Sequence, residues 1–242
     1  MTDFEKRLLS VANQNEKTKN IIDVSHLSTL ENLCHRMLEV NKTLNLTAIK
    51  DENGVILKHL VDSCACVPYI KENASVCDIG CGGGFPTLVI GALRGDVSVL
   101  GVDSVTKKVS YVKDTADFLG LNNVSVSNRR AEELGQDVDY RENFDVLTAR
   151  AVGRLNLICE LCLPLVKVGG CFLAMKSQST DSELKEAQSA ISLLGGSLEC
   201  VDRYTLKDDC EELERTIVVI RKVSKTPKMY PRNNSQMAKK PL

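Results

Sequence analysis

The sequence predicts an α/β protein: a mostly parallel seven-stranded sheet with an antiparallel edge strand, preceded by a helical extension. Three observations predict it. Up to residue 72, apolar residues recur at helical spacing only. From residue 76, short β-branched runs alternate with helical segments, the pattern of a parallel sheet covered on both faces. The last two runs are separated only by the polar stretch 207–215, the spacing of an antiparallel hairpin.

The elements follow in order. A first helix is expected near 2–13. A second, near 26–41, carries Leu27, Leu30, Leu33, Cys34, Met37 and Leu38 on one stripe. A third, near 52–70, carries Ile56, Leu60, Cys64 and Val67, and Pro68 with the turn at 71–75 closes the region. Strands are expected at 76–80, 98–103, 124–128, 144–149 and 170–176, then near 197–205 and 216–221. The helix at 105–119 places Val105, Val109, Val112, Ala116 and Leu119 together, with Ser104 as its N-cap and Gly120 just past its end. Thr180 and Glu183 are spaced as a capping box for a helix near 181–194. The chain thus divides into a helical extension (1–72), an α/β domain (73–223) and a basic tail (224–242).

Composition narrows the function. The 242 residues are 43% hydrophobic and 26% charged, which excludes wholesale disorder. No run approaches a membrane span, and the first residues carry acids without an apolar stretch, so no secretory signal is expected. Aromatics are only 4% with no Trp, which argues against a single-strand binder built on stacking. The ten cysteines are expected as free thiols in a reducing cytoplasm. The one CxxC, Cys159 and Cys162, lies in an apolar helical stretch with no second ligand pair near it, so the pair reads as buried hydrophobes and no metal is expected. Net charge is −1, but residues 221–242 hold seven Lys or Arg and no acid, leaving the first 220 at −8. A basic tail on an acidic body suggests a polyanion partner.

The chemistry begins at Asp78-Ile79-Gly80-Cys81-Gly82-Gly83-Gly84-Phe85, between the first strand and the next helix. Glycines let a backbone turn sharply and approach a ligand. A dinucleotide loop wants G-x-G-x-x-G; this frame gives Gly80, Gly82 and then Phe85, a residue that would crowd a pyrophosphate. Asp103 ends the second strand, 23 residues after Gly80, where an acid binds ribose hydroxyls. Ala131 and Glu132 follow the third strand, where an adenine would lie. Glycine loop, acid and adenine loop together describe a pocket for an adenosine without phosphates, S-adenosyl-L-methionine, at the strand ends of the open α/β sheet.

These residues resemble the bacterial 16S rRNA guanine-N7 methyltransferase family, RsmG, also called glucose-inhibited division protein B. The matching segments are NLTAI (45–49), HLVDS (59–63), DIGCGGGFP (78–86), VDSVTKK (102–108), RAE (130–132), FDVLTARAV (144–152), LAMK (173–176) and VIRKVSKTPKMYPR (219–232). The glycine loop is common to many methyltransferases; the NLTAI, HLVDS and terminal segments are far more specific. The resemblance implies a Rossmann-like methyltransferase with an N-terminal helical extension, in the bacterial cytoplasm, that methylates N7 of one guanine in 16S rRNA of the small ribosomal subunit. It implies that Gly80 and Phe85 line the methionine end of the cofactor pocket, that Ala131 and Glu132 contact the adenosine end, and that Arg150 contacts cofactor or substrate.

The remaining site residues follow from position. Gly82 and Gly84 belong to the cofactor loop. Arg130, Arg150 and Lys176 follow strand ends that face the methyl donor and are expected to position the RNA. An Arg150 that was only structural would need a buried acid partner. Guanine N7 already offers a lone pair, so no general base is expected, and His59 with Asp62, at i and i+3, reads as a hydrogen-bonded structural pair. The expected partner is 16S rRNA, with no membrane and no metal, and the protein is expected as a monomer. A methyltransferase for small molecules, a nicotinamide dehydrogenase and a non-catalytic RNA-binding module are the competing readings; the basic tail, Phe85 and the intact cofactor loop speak against them in turn.

Overall fold

A computed structural model describes residues 1–177 and 180–242. All seven expected runs are strands: β1 Ser75–Ile79, β2 Ser98–Val102, β3 Val124–Ser127, β4 Phe144–Arg150, β5 Val166–Lys176, β6 Gly196–Lys207 and β7 Glu212–Lys222. They form one sheet in the order β3-β2-β1-β4-β5-β7-β6. The first five run parallel, and β7 is antiparallel to both β5 and β6. The expected hairpin therefore forms, with its second strand inserted beside β5 and its first left at the edge. The sequence explains the choice. Ile217, Val218, Val219 and Ile220 of β7 are all buried, as an interior strand requires, whereas β6 is largely exposed and polar, which suits an edge.

The N-terminal helices are α1 Asp3–Gln14 and α2 Leu27–Leu44. Thr2 and Glu5 form a reciprocal capping box at the start of α1. The stretch expected as one helix over 52–70 is broken. It runs as α3 Glu52–Val55, a π-helical stretch Ile56–Val61, α4 Asp62–Cys64 and a short 3-10 turn Val67–Tyr69. The remaining helices are α5 Thr87–Leu93, α6 Thr106–Phe118, α7 Ala131–Gln136, α8 Leu155–Cys162, α9 Thr180–Leu193 and α10 Asn234–Lys239.

Two helix starts differ from expectation. The N-cap of α6 is Val105, not Ser104, and the Asp103 carboxylate turns the chain into the helix by accepting from Val105 N–H at 2.8 Å. Thr180 is already helical rather than the cap of α9, and Glu183 is turned elsewhere, accepting from Leu155 N–H. The end of α6 is as expected: Gly120 has φ +69°, Gly120 N–H bonds Asp117 C=O, and Leu121 N–H bonds Ala116 C=O, the two bonds of a Schellman motif.

Helices cover both faces of the sheet. On one, Leu8 of α1 and Leu30 and Leu33 of α2 share a continuous apolar cluster with Leu88 of α5 and Val112 of α6, so the N-terminal extension packs directly on the sheet's own helices. On the other, Ile158 and Cys159 of α8 and Ala187 and Ile191 of α9 pack on Leu147 and Phe172. Residues 224–242 lie against this second layer, where Tyr230 is buried in the same cluster.

Candidate active site

The strand order reverses between β1 and β4, and ligands of open α/β sheets bind beyond the carboxyl ends of strands at such a point. Two cavities of about 360 Å³ each open there, and both are lined by Ala151, which follows β4 with φ +57°.

The first cavity lies beyond β1, β2 and β3 and is lined by Gly80, Gly82, Asp103, Arg130, Ala131 and Glu132, among others. Gly80 has φ +74°, and a Cβ there would lie 2.6 Å from a Val152 methyl, so only glycine fits. The loop N–H groups are largely spoken for. Gly80 and Cys81 both donate to Val102 C=O, Gly82 donates to Asp103 and Gly84 to Cys81 C=O. A loop so engaged does not present the convergent N–H groups that bind a pyrophosphate. Asp103 accepts one backbone N–H at each oxygen, from Gly82 at 3.0 Å and Val105 at 2.8 Å, which fixes the carboxylate and leaves further lone pairs for a vicinal diol. Leu157 and Leu161 of α8 supply an apolar wall. The oriented Asp103 acceptor and the apolar wall thus fit a nucleoside, and Lys108, Arg129 and Arg130 add positive charge at the same cavity.

Beneath the loop, Asp78 is fully buried at the end of β1. Thr87 donates to one of its oxygens at 2.6 Å and Thr148 to the other at 2.8 Å. Burial raises its pKa to about 6 against the opposing pull of these two hydroxyls.

The second cavity lies beyond β4 and β5, between the sheet and the N-terminal extension, and includes Lys58, His59, Asp62, Arg150, Lys176 and Arg215. Arg150 is its centre. It donates to Lys58 C=O at 3.0 Å, to the Asp62 carboxylate at 3.1 Å and to His59 Nδ1 at 3.2 Å. His59 and Asp62 are therefore joined through Arg150 rather than to each other, because the π-helical winding between Ile56 and Val61 shifts their relative position on the helix. Since the guanidinium donates to Nδ1, the imidazole proton sits on Nε2 and faces the Thr47 hydroxyl at 3.0 Å. The His59 ring also stacks on Phe85, with centroids 4.6 Å apart and planes 8° from parallel. Burial, then the nearby Arg150 charge, lowers its pKa to about 3, which keeps it neutral. Asp62 also pairs with Arg215 at 3.4 Å and accepts from Tyr204 at 3.3 Å.

The expected residues separate between the cavities. Gly80, Gly82, Asp103, Ala131 and Glu132 line the first, and Arg130 joins them, 3.8 Å from Glu132. Arg150 and Lys176 line the second and not the first; Lys176 donates to Gly153 C=O and pairs with Glu183, both at 2.7 Å. Arg150 has the buried acid partner that a structural role requires, and it also borders open space. Gly84 and Phe85 line neither cavity: a Cβ on Gly84 would lie 2.4 Å from a Leu88 methyl, so this glycine serves packing, while Phe85 supports His59. Thr148, Lys58, Arg215 and Asn234 were not singled out from the sequence. No spacing signals them, because each is brought to the site by a different element. Eight cysteines are buried, Cys159 and Cys162 among them, and burial holds both of these thiols well above their ordinary pKa. Among the described residues no His, Cys, Asp and Glu group is arranged to hold a metal, and no helix is long and apolar enough to cross a membrane.

Comparison with known proteins shows the family and the fold. Residues 26–214 match the family model described as rRNA small subunit methyltransferase G. The ribosomal RNA small subunit methyltransferase G of Staphylococcus carnosus is 45% identical over 209 residues, 85% of this chain and 86% of that protein. The Geobacillus protein of the same name is 40% identical over 218 residues, 89% and 91% of the two chains. Solved structures share the fold at lower identity. A geranyl diphosphate C-methyltransferase from Streptomyces coelicolor, solved with S-adenosyl-L-homocysteine, superposes with a TM-score of 0.51 at 11% identity over 66% of this chain and 78% of its own. An S-adenosylmethionine-dependent O-methyltransferase from Thermotoga maritima gives 0.50 at 14% identity over 79% and 72%.

Proposed function

The chain belongs to the rRNA small subunit methyltransferase G family of S-adenosylmethionine-dependent enzymes, and from that premise we propose that it methylates N7 of one guanine in 16S rRNA, with the base seated in the Arg150 cavity and the cofactor in the Asp103 cavity. The observation that carries this reading is the meeting of the two cavities at Ala151, which lets a base and a methyl donor face each other across one residue. The cofactor supplies a methyl group already activated on a sulfonium.

What the protein must supply is placement. Asp103 holds the ribose, Ala131 and Glu132 border the adenine, and the glycine loop lets the backbone approach. The N7 edge of guanine carries two acceptors, N7 and O6, and no donor. A cavity lined by Lys58, Arg150, Lys176 and Arg215 complements O6 while leaving N7 free toward the methyl group. No side chain needs to remove a proton from N7, and none is poised to do so: both nitrogens of His59 are engaged and Asp62 is shared by two arginines. Arg130 and Lys176, at the cavity rims, meet the nearest RNA phosphates, and the exposed Lys225 and Lys228, beyond the end of β7 and away from the two cavities, meet phosphates further out. The same proposal has the protein act as a monomer on the small subunit in the cytoplasm.

The test is to treat small subunits lacking the modification with protein and cofactor, then map N7-methylguanosine by chemical cleavage at the modified base. One new cleavage in 16S rRNA is expected. Arg150→Ala should lower turnover at saturating subunit while leaving cofactor affinity unchanged. A methyl group at another atom would overturn the N7 assignment, and an unchanged Arg150→Ala turnover would overturn the placement of the base.

A further inference from the structure

The tail is bound to the body by a set of directed contacts, and these carry an inference. Arg141 donates to the main-chain oxygens of Thr226 at 2.8 Å, Pro227 at 3.2 Å and Tyr230 at 2.7 Å, tying the segment to the region after α7. Arg232 forms a two-pronged pair with Glu160 of α8, at 2.8 and 2.6 Å, and Glu160 is only 1% exposed. Lys222, equally buried, donates to Leu163 C=O and to the Thr226 hydroxyl and pairs with Glu142 at 3.3 Å. Pro231 packs so closely on Gly135 of α7 that a Cβ there would lie 2.6 Å from its ring. Met237 of α10 is buried. Three of the seven basic residues counted from 221 onward are thus paired within the chain: Lys222 and Arg232 as described, and Arg221 with Glu199 at the surface.

These contacts bring Asn234 to the wall of the cofactor cavity, beside Arg130 and Glu132. Its side chain makes no hydrogen bond within the described residues, while the neighbouring Asn233 is consumed in capping α10. The amide of an asparagine offers one donor and one acceptor side by side, the complement of an adenine edge, which pairs an amino group with a ring nitrogen.

We propose that residues 224–242 form a strap that completes the adenosine side of the cofactor cavity, and that Asn234 reads the adenine edge. The strap is then part of the cofactor site, in addition to any contact its exposed lysines make with RNA. The inference rests on the cofactor assignment alone and not on which RNA atom is methylated.

Calorimetric binding of S-adenosyl-L-homocysteine to the full-length protein tests it without an RNA substrate. Asn234→Ala is expected to weaken binding by about three- to tenfold, the range of one hydrogen bond. The loss should persist at high salt, because no ion pair is removed. A protein ended after Asn233, which keeps the Arg232–Glu160 clamp, should lose at least as much. Specificity gives the sharper readout: the preference for S-adenosyl-L-homocysteine over its inosine counterpart should shrink in Asn234→Ala, which a merely structural role would not cause. Lys239→Ala with Lys240→Ala should leave both quantities unchanged. Unaltered affinity and unaltered adenine preference in a folded Asn234→Ala protein would overturn the proposal.

Discussion

Arg150 donates to a carboxylate, a main-chain oxygen and an imidazole, and two of those partners fix the third. Because the guanidinium donates to His59, the ring cannot take up a proton without losing that bond and facing a fixed positive charge in a partly buried place. The consequence is a pH effect of definite sign. The folded His59 pKa, about 3, lies below the ordinary value of 6.5, so its contribution to stability is complete above pH 6.5 and is lost as pH falls toward 3. Asp78 acts in the opposite sense: its raised pKa of about 6 favours the folded state at low pH and loses that advantage as pH rises from 3.8 through 6. Comparing the parent with His59→Asn removes the Asp78 contribution from the difference. The parent should lose stability relative to the variant between pH 6.5 and 5, by at most about 1.4 kcal/mol per pH unit, as read from urea midpoints. Asp103 offers a second test. Asp103→Ala should weaken cofactor binding by roughly 1–3 kcal/mol in calorimetry, since it removes an acceptor already oriented by two backbone bonds. Asp103 was legible in the sequence because its place, a strand end after a glycine loop, is local. The partners of Arg150 were not, since Lys58, His59 and Asp62 are some 90 residues away and meet it only through the packing of the extension on the sheet.

Among the elements, the end of α6 shows sequence and structure in full agreement. Nothing lies within 4 Å of a Cβ placed on Gly120, so the only penalty for a side chain there is the left-handed backbone itself. Gly120→Ala should therefore cost about 1–2 kcal/mol of stability and leave cofactor affinity unchanged, a pair of readings that thermal unfolding and calorimetry give together. The start of the same helix was less legible. Ser104 is the residue type that caps helices, but Asp103 already turns the chain and its carboxylate takes the first N–H. The π-helical stretch at Ile56–Val61 left no mark on the apolar periodicity, because one added residue per turn barely disturbs a stripe that is buried nearly all round. The strands were the most readable elements: their β-branched runs are short, and turn residues separate them. Which strand of the hairpin would lie inside was also written in the chain, in the unbroken apolar run of β7.

At the scale of the whole molecule, the site is assembled from both ends of the chain. The sheet supplies the loop and strand ends, the N-terminal helices supply Lys58, His59 and Asp62, and the C-terminal segment supplies Asn234. The order of the strands has a consequence for biosynthesis. β5 is complete at Lys176, but the strand that covers its open side, β7, ends only at Lys222, some 46 residues later. At about 5–20 residues per second, a nascent chain leaves Cys171-Phe172-Leu173-Ala174-Met175 with an unpaired edge for roughly 2–9 s. Translation that stops in this window releases a sheet whose most apolar strand is open to any other chain. A fragment ended after Lys207 is expected to sediment as aggregate where the full chain stays in solution, and slowing of synthesis between codons 177 and 222 should lower the soluble yield more than the same slowing placed before codon 144. An enzyme that methylates ribosomal RNA would itself depend on how evenly a ribosome delivers its last two strands.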